Sequence, residues 1–317
     1  MRFSGKPGIN LRVPRHLLTL SDLGRDGLIR VLALAEQYRA RRGRSDGERP
    51  LAGKTVALVF EKPSTRTRIS LEVAVHELGG HPLVLTKTGS QMDRGEPVRD
   101  TARVLTRMVH AITFRTGGAE RLQELVAHST VPVLNALTDQ DHPMQLLADL
   151  QTVLRVRGRL GGLKFAWVGD GNNMANSWIE AAGLLGLELV LACPDGYRPA
   201  AERVARACAA GGAVRVVGDP RAAVEGAHVV STDVFTSMGQ EAEQAARLRA
   251  FAGFRLTREL MARAAPERLV LHCLPAHRGE EIDEEVLEGP DSHVWEQAED
   301  RLHSAKAALT WAMERDG

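Results

Sequence analysis

Several groups of residues in this 317-residue chain have the types and spacing for chemistry on a small polar substrate. Ser64-Thr65-Arg66-Thr67-Arg68 stands where the apolar run Thr55 to Phe60 ends and a helical pattern begins. Free backbone N–H groups and the helix dipole make such a place an anion site. The hydroxyls of Ser64, Thr65 and Thr67 add donors, although Ser or Thr there is equally a natural N-cap. At ~100° per residue, Arg66 and Arg68 diverge by ~200° around the helix, so one is read as meeting an anion and the other as pairing within the protein. No GxxxxGK[ST] loop occurs. Arg115 closes another apolar strand, where open α/β sheets place ligands. His142-Pro143-Met144-Gln145 opens a helix with His and Gln on adjacent faces. A lone His at a helix start is more often a cap than a catalyst, and only its company here raises it above that.

A second group follows the strand Lys164 to Val168. Gly169-Asp-Gly-Asn-Asn173 begins like a dinucleotide fingerprint, but Met174 takes the place of the third glycine. Asp195 is the nearest acidic candidate for a ribose, and it is poorly placed. Asn172 and Asn173 suit a small polar ligand better. Asp233 ends a further strand, shortly before Ser237-Met238-Gly239-Gln240. An aspartate there caps a helix or holds an ammonium group. His272-Cys273-Leu274-Pro275 ends the last apolar strand, with a thiol at the ligand-facing edge; such a Cys is more often an inert small hydrophobe.

The elements that must position these groups alternate between helical and strand-like periodicity, the pattern of parallel α/β architecture. Strands are expected at Thr55–Phe60, His81–Leu85, Ala111–Phe114 and Val131–Leu134, with helices at Leu28–Tyr38, Thr65–Leu78, Val98–Met108 and Ala119–His128. A helix from Met144 to Arg157 ends in Gly158-Arg-Leu-Gly-Gly162, which reads as a helix stop and a domain boundary. A second series follows: strands at Lys164–Val168, Leu187–Ala192, Val214–Val217, His228–Ser231 and Leu269–Cys273, helices at Asn173–Leu185 and Ala200–Ala210, and a long final helix from Trp295 to Met313. Near-continuous apolar strands imply sheets covered on both faces. The fold class is α/β, with two parallel-sheet α/β domains linked by helices.

Composition bounds the partners. Lys and Arg number 41 against 40 Asp and Glu, a net charge of +1, which disfavours an electrostatic nucleic-acid or membrane-surface binder. No apolar run approaches the ~20 residues of a membrane span. Met1 to Pro14 lacks the apolar core of a secretory signal and fits a mitochondrial presequence only loosely. Three scattered cysteines, Cys193, Cys208 and Cys273, form no CxxC pair, which excludes a disulfide framework or Cys-based zinc site and points to a reducing cytoplasm.

Phe60-Glu-Lys-Pro-Ser-Thr-Arg-Thr-Arg68 together with His142-Pro-Met-Gln145 resembles the carbamoyl-phosphate half of the aspartate/ornithine transcarbamoylase family. Gly169-Asp-Gly-Asn-Asn173, Ser237-Met-Gly239 and His272-Cys-Leu-Pro275 resemble its ornithine branch. Gln91 with Arg94-Gly-Glu96 and Asp100-Thr-Ala-Arg103, and Glu299-Asp-Arg301-Leu-His303, also match, so the likeness runs from about His16 to Met313. Asp93, Asn176 and Ser304-Ala305 depart from the family pattern away from the substrate positions. The resemblance implies residues 1–145 as a carbamoyl-phosphate domain, with the helix at about 295–317 packing back on it, and 146–294 as an ornithine domain. It implies carbamoyl transfer to the δ-amine of L-ornithine, giving citrulline and phosphate within arginine metabolism, with no metal or organic cofactor, no nucleic-acid or membrane partner, and a homotrimer or a multiple of trimers.

By the same resemblance, Ser64, Thr65, Arg66, Thr67 and Arg115 hold the phosphate, and Gln91 reaches across from a neighbouring subunit. His142 donates to the carbamoyl oxygen, while Gln145 and the backbone at Cys273 and Leu274 fix the carbamoyl NH2 and Arg301 adds a cationic donor. Asn173, Asp233, Ser237 and Met238 bind ornithine. An alkylamine of pKa ~10.4 presented neutral at pH 7 costs roughly 4.6 kcal/mol, and Cys273 as a thiolate is expected to take the proton. Three rivals remain from the sequence: a Rossmann dehydrogenase, a non-catalytic relative, and a carbamoyltransferase for putrescine or acetylornithine.

Overall fold

The structure, a computed structural model, describes residues 14–44, 47–237, 239 and 241–314. Its first half runs α1 (Gly24–Ala40), β1 (Thr55–Phe60), α2 (Arg66–Glu77), β2 (His81–Thr86), α3 (Val98–Leu105), β3 (Ala111–Arg115), α4 (Ala119–Ala127) and β4 (Val133–Leu137). Then α5 (Pro143–Arg157) leads into β5 (Lys164–Val168), α6 (Asn173–Leu185), β6 (Glu188–Ala192), α7 (Ala201–Ala209), β7 (Ala213–Val217), α8 (Pro220–Val224) and β8 (Val229–Thr232). The chain closes with α9 (Gln244–Ala250), α10 (Arg258–Met261), β9 (Leu269–His272), α11 (Glu284–Leu287) and α12 (Val294–Met313).

Two all-parallel sheets result, in the orders β2-β1-β3-β4 and β7-β6-β5-β8-β9. Parallel strands need crossovers, and the helices that supply them bury both sheet faces, so β1 can be apolar from Val56 to Phe60 without alternation. The C-terminal ends of β1, β3, β8 and β9 carry the motifs picked out above, at the ligand side of open α/β sheets.

Two long helices join the halves. Pro143 opens α5 in the first turn, and Gly158 ends it in the left-handed region (φ 67°), donating its N–H to the Leu154 carbonyl at 2.7 Å. Every residue of α5 from Pro143 to Val153 is buried, against α12, α1 and α6. The last helix, α12, is buried from Asp300 to Thr310 and packs on α1, α2 and α5. One apolar cluster therefore runs from Val56 and Leu58 of β1 through Leu147 and Leu150 to Phe165 and Trp167 of β5. Among the described residues no helix is long and apolar enough to cross a membrane.

Some boundaries differ from the sequence reading. The strand expected at Val131–Leu134 spans Val133–Leu137, because Asn135, a polar residue that ended the apolar pattern, is buried with its Nδ2 donating to the Leu18 carbonyl at 2.9 Å. The helix expected to reach Met108 stops at Leu105 and gives way to a turn. The short helices α8 to α11 lack the length for a periodic signal.

Candidate active site

At the end of β1 the chain is pinned before it reaches the Ser-Thr-Arg-Thr-Arg turn. The half-buried Glu61 carboxylate accepts from Thr116 Oγ1 and from Nε and Nη2 of Arg121. Thr65 is the N-cap of α2, yet its side chain makes no capping hydrogen bond, so the bland reading of this motif is not what the structure shows. Arg68 is exposed and pairs with Glu72 at 3.1 Å, one turn on. Arg66 turns elsewhere: it lies close enough to Arg115 and Arg301 to depress the pKa of both.

Arg115 ends β3 and Arg301 lies on α12; both are buried. Burial, followed by the positive neighbours, lowers each to about 10, so both stay protonated at neutral pH. Arg301 Nη2 donates to Thr67 Oγ1 at 2.6 Å, tying the last helix to the first turn of α2. Three guanidinium groups held this close repel one another, and an anion between them relieves that repulsion.

His142 is the N-cap of α5 and is buried, with its backbone N–H donating to Ser177 Oγ at 2.8 Å. Burial, then Arg301 and Arg115, push its imidazole well below the ordinary histidine range, so at pH 7 it is neutral and has one N–H to give. One turn on, Gln145 Oε1 accepts from Arg301 Nη1 and Gln145 Nε2 donates to Asp149 Oδ1 at 2.8 Å.

The second sheet supplies the opposite wall. Asn172 Oδ1 caps α6 by accepting from Met174 and Ala175 N–H, while its Nδ2 donates to Asp233 Oδ2 at 2.9 Å. Asn173 Nδ2 donates to the Thr138 carbonyl at 2.7 Å, holding α6 against the loop before His142. Asn176 does the same through Gln140 at 3.0 Å. Asp233 Oδ1 accepts the Val234 N–H at 2.8 Å and the Cys273 thiol at 3.0 Å. Ser237 lies half-buried on the loop after Asp233, and Met238 falls outside the described residues. Leu274 is the one described non-glycine residue with positive φ (58°), a strained conformation held by its N–H donating to His272 Nδ1 at 2.8 Å. His272 Nε2 therefore carries the ring proton and faces Glu281 Oε1 at 3.1 Å.

The thiolate expected of Cys273 is corrected by this geometry. Burial first, and the adjacent Asp233 carboxylate next, push the thiol well above its ordinary value. The sulfur holds its proton and donates it, so it cannot serve as the resting base. The Asp233, His272 and Cys273 donor atoms converge within 4.8 Å. The ring nitrogens of His272 meet the Leu274 N–H and Glu281, and the Cys273 thiol meets Asp233, so all three side chains are engaged in hydrogen bonds.

The dinucleotide reading of Gly169-Asp-Gly171 also fails on geometry. A Cβ on Gly171 would lie 2.3 Å from Pro199 N and 2.6 Å from Arg198 C, so its own chain occupies the approach a pyrophosphate would need. Gly171 instead donates its N–H to the Tyr197 carbonyl at 2.8 Å.

Comparison with known proteins matches both halves. Residues 15–155 fit the aspartate/ornithine carbamoyltransferase carbamoyl-P binding domain and residues 161–312 fit the Asp/Orn binding domain of the same family. The chain belongs to the aspartate/ornithine carbamoyltransferase family. An ornithine carbamoyltransferase of Pelobacter propionicus is 53% identical over 300 residues, 94% of this chain and 98% of that one. The ornithine carbamoyltransferase structure from Thermus thermophilus is 45% identical with a TM-score of 0.87, covering 96% of this chain and all of that one. That from Pyrococcus furiosus is 43% identical with a TM-score of 0.90, covering 95% and 97%. Carbamoyl transfer is accordingly this family member's reaction class.

Of the sequence-read residues, the structure gathers Thr67, Arg66, Arg115, His142, Gln145 and Arg301 around one set of charges, and Asp233 with Cys273, Leu274 and Asn172 around another. Asn173 stands at the α6 start between them. Gln91 is exposed on a 3₁₀ turn after β2, the sheet edge remote from β4, whose end leads to His142. Three supporting groups were missed. Asp149 and Gln297 are buried between α5 and α12; a carboxylate one turn after Gln145, among Leu146, Leu147 and Leu150, is the signal that marks Asp149. Arg247 is buried and joins Asp170 to the Phe235 carbonyl, bracing the loop that carries Ser237. Arg203 grips Asp141 bidentately at 2.7 and 3.2 Å, just before His142.

Proposed function

We propose that this chain transfers the carbamoyl group of carbamoyl phosphate to the δ-amine of L-ornithine, and that the residues divide the work as follows. The carrying observation is the convergence of Arg66, Arg115 and Arg301, three mutually repelling cations, on the uncapped start of α2. Ser64, Thr65, Arg66, Thr67 and Arg115 hold the phosphate. Neutral His142 donates to the carbamoyl oxygen as that atom gains charge, with Arg301 beside it, an oxyanion-type stabilisation. Gln145 Oε1 and the strained backbone at Cys273 and Leu274 receive the carbamoyl NH2.

Asn173 Oδ1, with Ser237 and Met238, meets the α-ammonium and α-carboxylate of ornithine, while Asp233 and Cys273 face the δ-nitrogen. The neutral δ-amine attacks the carbamoyl carbon, the C–O bond to phosphate breaks, and the departing phosphate takes the proton the nitrogen loses. Asp233 binds and orients the amine, and the protonated thiol tempers that carboxylate's grip on the ammonium form. Residues 1–145 with α12 form the carbamoyl-phosphate unit, and residues 146–294 the ornithine unit.

The chain acts in the cytoplasm as a homotrimer or a multiple of it, with Gln91 donated to the neighbour's site. The edge position of β2 and the exposed Leu83 on it support this reading. Calorimetric titration with carbamoyl phosphate alone tests the phosphate site: the wild type binds without ornithine, and Arg66→Met and Arg115→Met lose that binding. Retained binding in both variants would reject the assignment.

A further inference from the structure

Asp149 is fully buried between α5 and α12 and touches the phosphate turn only through other residues. Its Oδ1 accepts from Gln145 Nε2 at 2.8 Å and from Gln297 Nε2 at 2.6 Å; Oδ2 has no hydrogen-bond partner among the described residues. An ionised carboxylate only accepts, so both amides must turn their NH2 groups towards it. That choice fixes their other ends. Gln145 Oε1 is turned to Arg301 Nη1, and Gln297 Oε1 accepts the His272 N–H at 3.0 Å, at the start of the His272-Cys273-Leu274 segment.

A side-chain amide is nearly symmetric in shape, and only its partners decide which end faces a site. Turned round, Gln145 would offer an NH2 to an incoming NH2. We propose that Asp149 is a positioning residue that selects a carbamoyl group over an acyl group of the same shape, by holding the Gln145 carbonyl towards the substrate's NH2. The proposal rests on the reading that Gln145 receives that NH2. Arg301 Nη1 orients the same amide in the same sense, so loss of the carboxylate weakens the selection without abolishing it.

The test compares carbamoyl phosphate with acetyl phosphate, which carries a methyl in place of the NH2. Calorimetry gives the ratio of the two affinities in wild type, Asp149→Asn, Gln145→Ala and the double variant. Asp149→Asn should lower the ratio roughly tenfold, about one hydrogen bond's worth, mainly through weaker carbamoyl phosphate binding. It should lower it no further in the Gln145→Ala background, because both changes act through one contact. A fall with Gln145→Ala but not with Asp149→Asn overturns the proposal and leaves the Gln145 reading standing. Additive falls also overturn it, and an unchanged ratio in Gln145→Ala overturns both.

Should Asp149→Asn not fold, the wild-type ratio is followed from pH 8 to pH 5. Both ligands share one phosphate, so its ionisation cancels. The charged or titratable groups facing Asp149 are Arg301 from α12 and Asp233 and Cys273 from the ends of β8 and β9, with neutral His142 on its own helix. Burial raises Asp149 to about 6, so the ratio should drop as pH falls through that region; a flat ratio overturns the proposal.

Discussion

The Cys273 thiol donates a hydrogen bond to Asp233 Oδ1 at 3.0 Å, and this contact sets the charge at the point where the amine must arrive. A negative charge beside a buried sulfur disfavours the thiolate. Removing the charge should reverse this. At pH 8, Cys273 should react with iodoacetamide more slowly than exposed Cys208, and Asp233→Asn should speed its reaction. Peptide mapping of alkylated protein reads both rates. No change in Asp233→Asn would mean that the carboxylate does not hold the thiol.

His142 donates as a neutral ring. Its pKa is well below the ordinary range, so the proton that would charge it binds only in distinctly acidic solution. The rate should therefore show no protonation step for this group near pH 6.5. His142→Ala should lower turnover by roughly 10²–10³, the usual loss for one oxyanion donor. His142→Gln keeps an N–H and should recover part of that. Steady-state rates from pH 5.5 to 8 check all three statements.

Asp149 makes a stability prediction apart from its role in binding. Its folded pKa lies above that of the unfolded chain, so between about pH 4 and 6 the native state binds the extra proton. Stability from this group is therefore greatest in acid and falls as pH rises through about 6. A rise from 3.8 to about 6 amounts to roughly 3 kcal/mol at 1.36 kcal/mol per unit. Asp149→Asn removes that dependence. Its melting temperature relative to wild type should improve by about 2 °C between pH 5 and pH 7.5, the roughly 1.4 kcal/mol still to be lost above pH 5, as calorimetric scans would show; a constant difference contradicts the assignment.

Arg203→Ala leaves the buried Asp141 carboxylate unpaired, which typically destabilises by about 3–5 kcal/mol. Because Asp141 precedes His142, turnover should fall in the variant as well. Gly171→Ala should be worse, since its new methyl meets backbone rather than a yielding side chain. Urea unfolding and turnover measured together separate the two effects.

The subunit reading has its own test. Gln91→Ala and His142→Ala proteins, each impaired alone, should regain activity when mixed and reassembled, because some sites then receive Gln91 from one subunit and His142 from another. Mixing without recovery would place Gln91 in its own subunit's site.

What could be read in the sequence follows from range. Strand ends and helix starts bear local signals, so Ser64 to Arg68, Arg115, His142, Asp233 and Cys273 were legible, as was the parallel α/β class. The four short helices after β7 fell below any periodic signal. Charge states were not legible, because they depend on neighbours distant in sequence: His142 is set by Arg301 and Arg115, and Cys273 by Asp233. That is why the thiolate expectation does not fit the buried thiol beside Asp233. Asp149 was passed over because the apolar stripe around it reads as core, and its partner Gln297 lies on another helix.

The most direct test of the account is ureido-product formation from carbamoyl phosphate with ornithine, aspartate, putrescine and acetylornithine offered in parallel. Citrulline should form from ornithine well above product from the other three amines, and Asp233→Ala should lose it. Preferential product with putrescine or acetylornithine would contradict the acceptor pocket built on Asn173, Asp233 and Ser237, and no product from any amine would contradict the reaction itself.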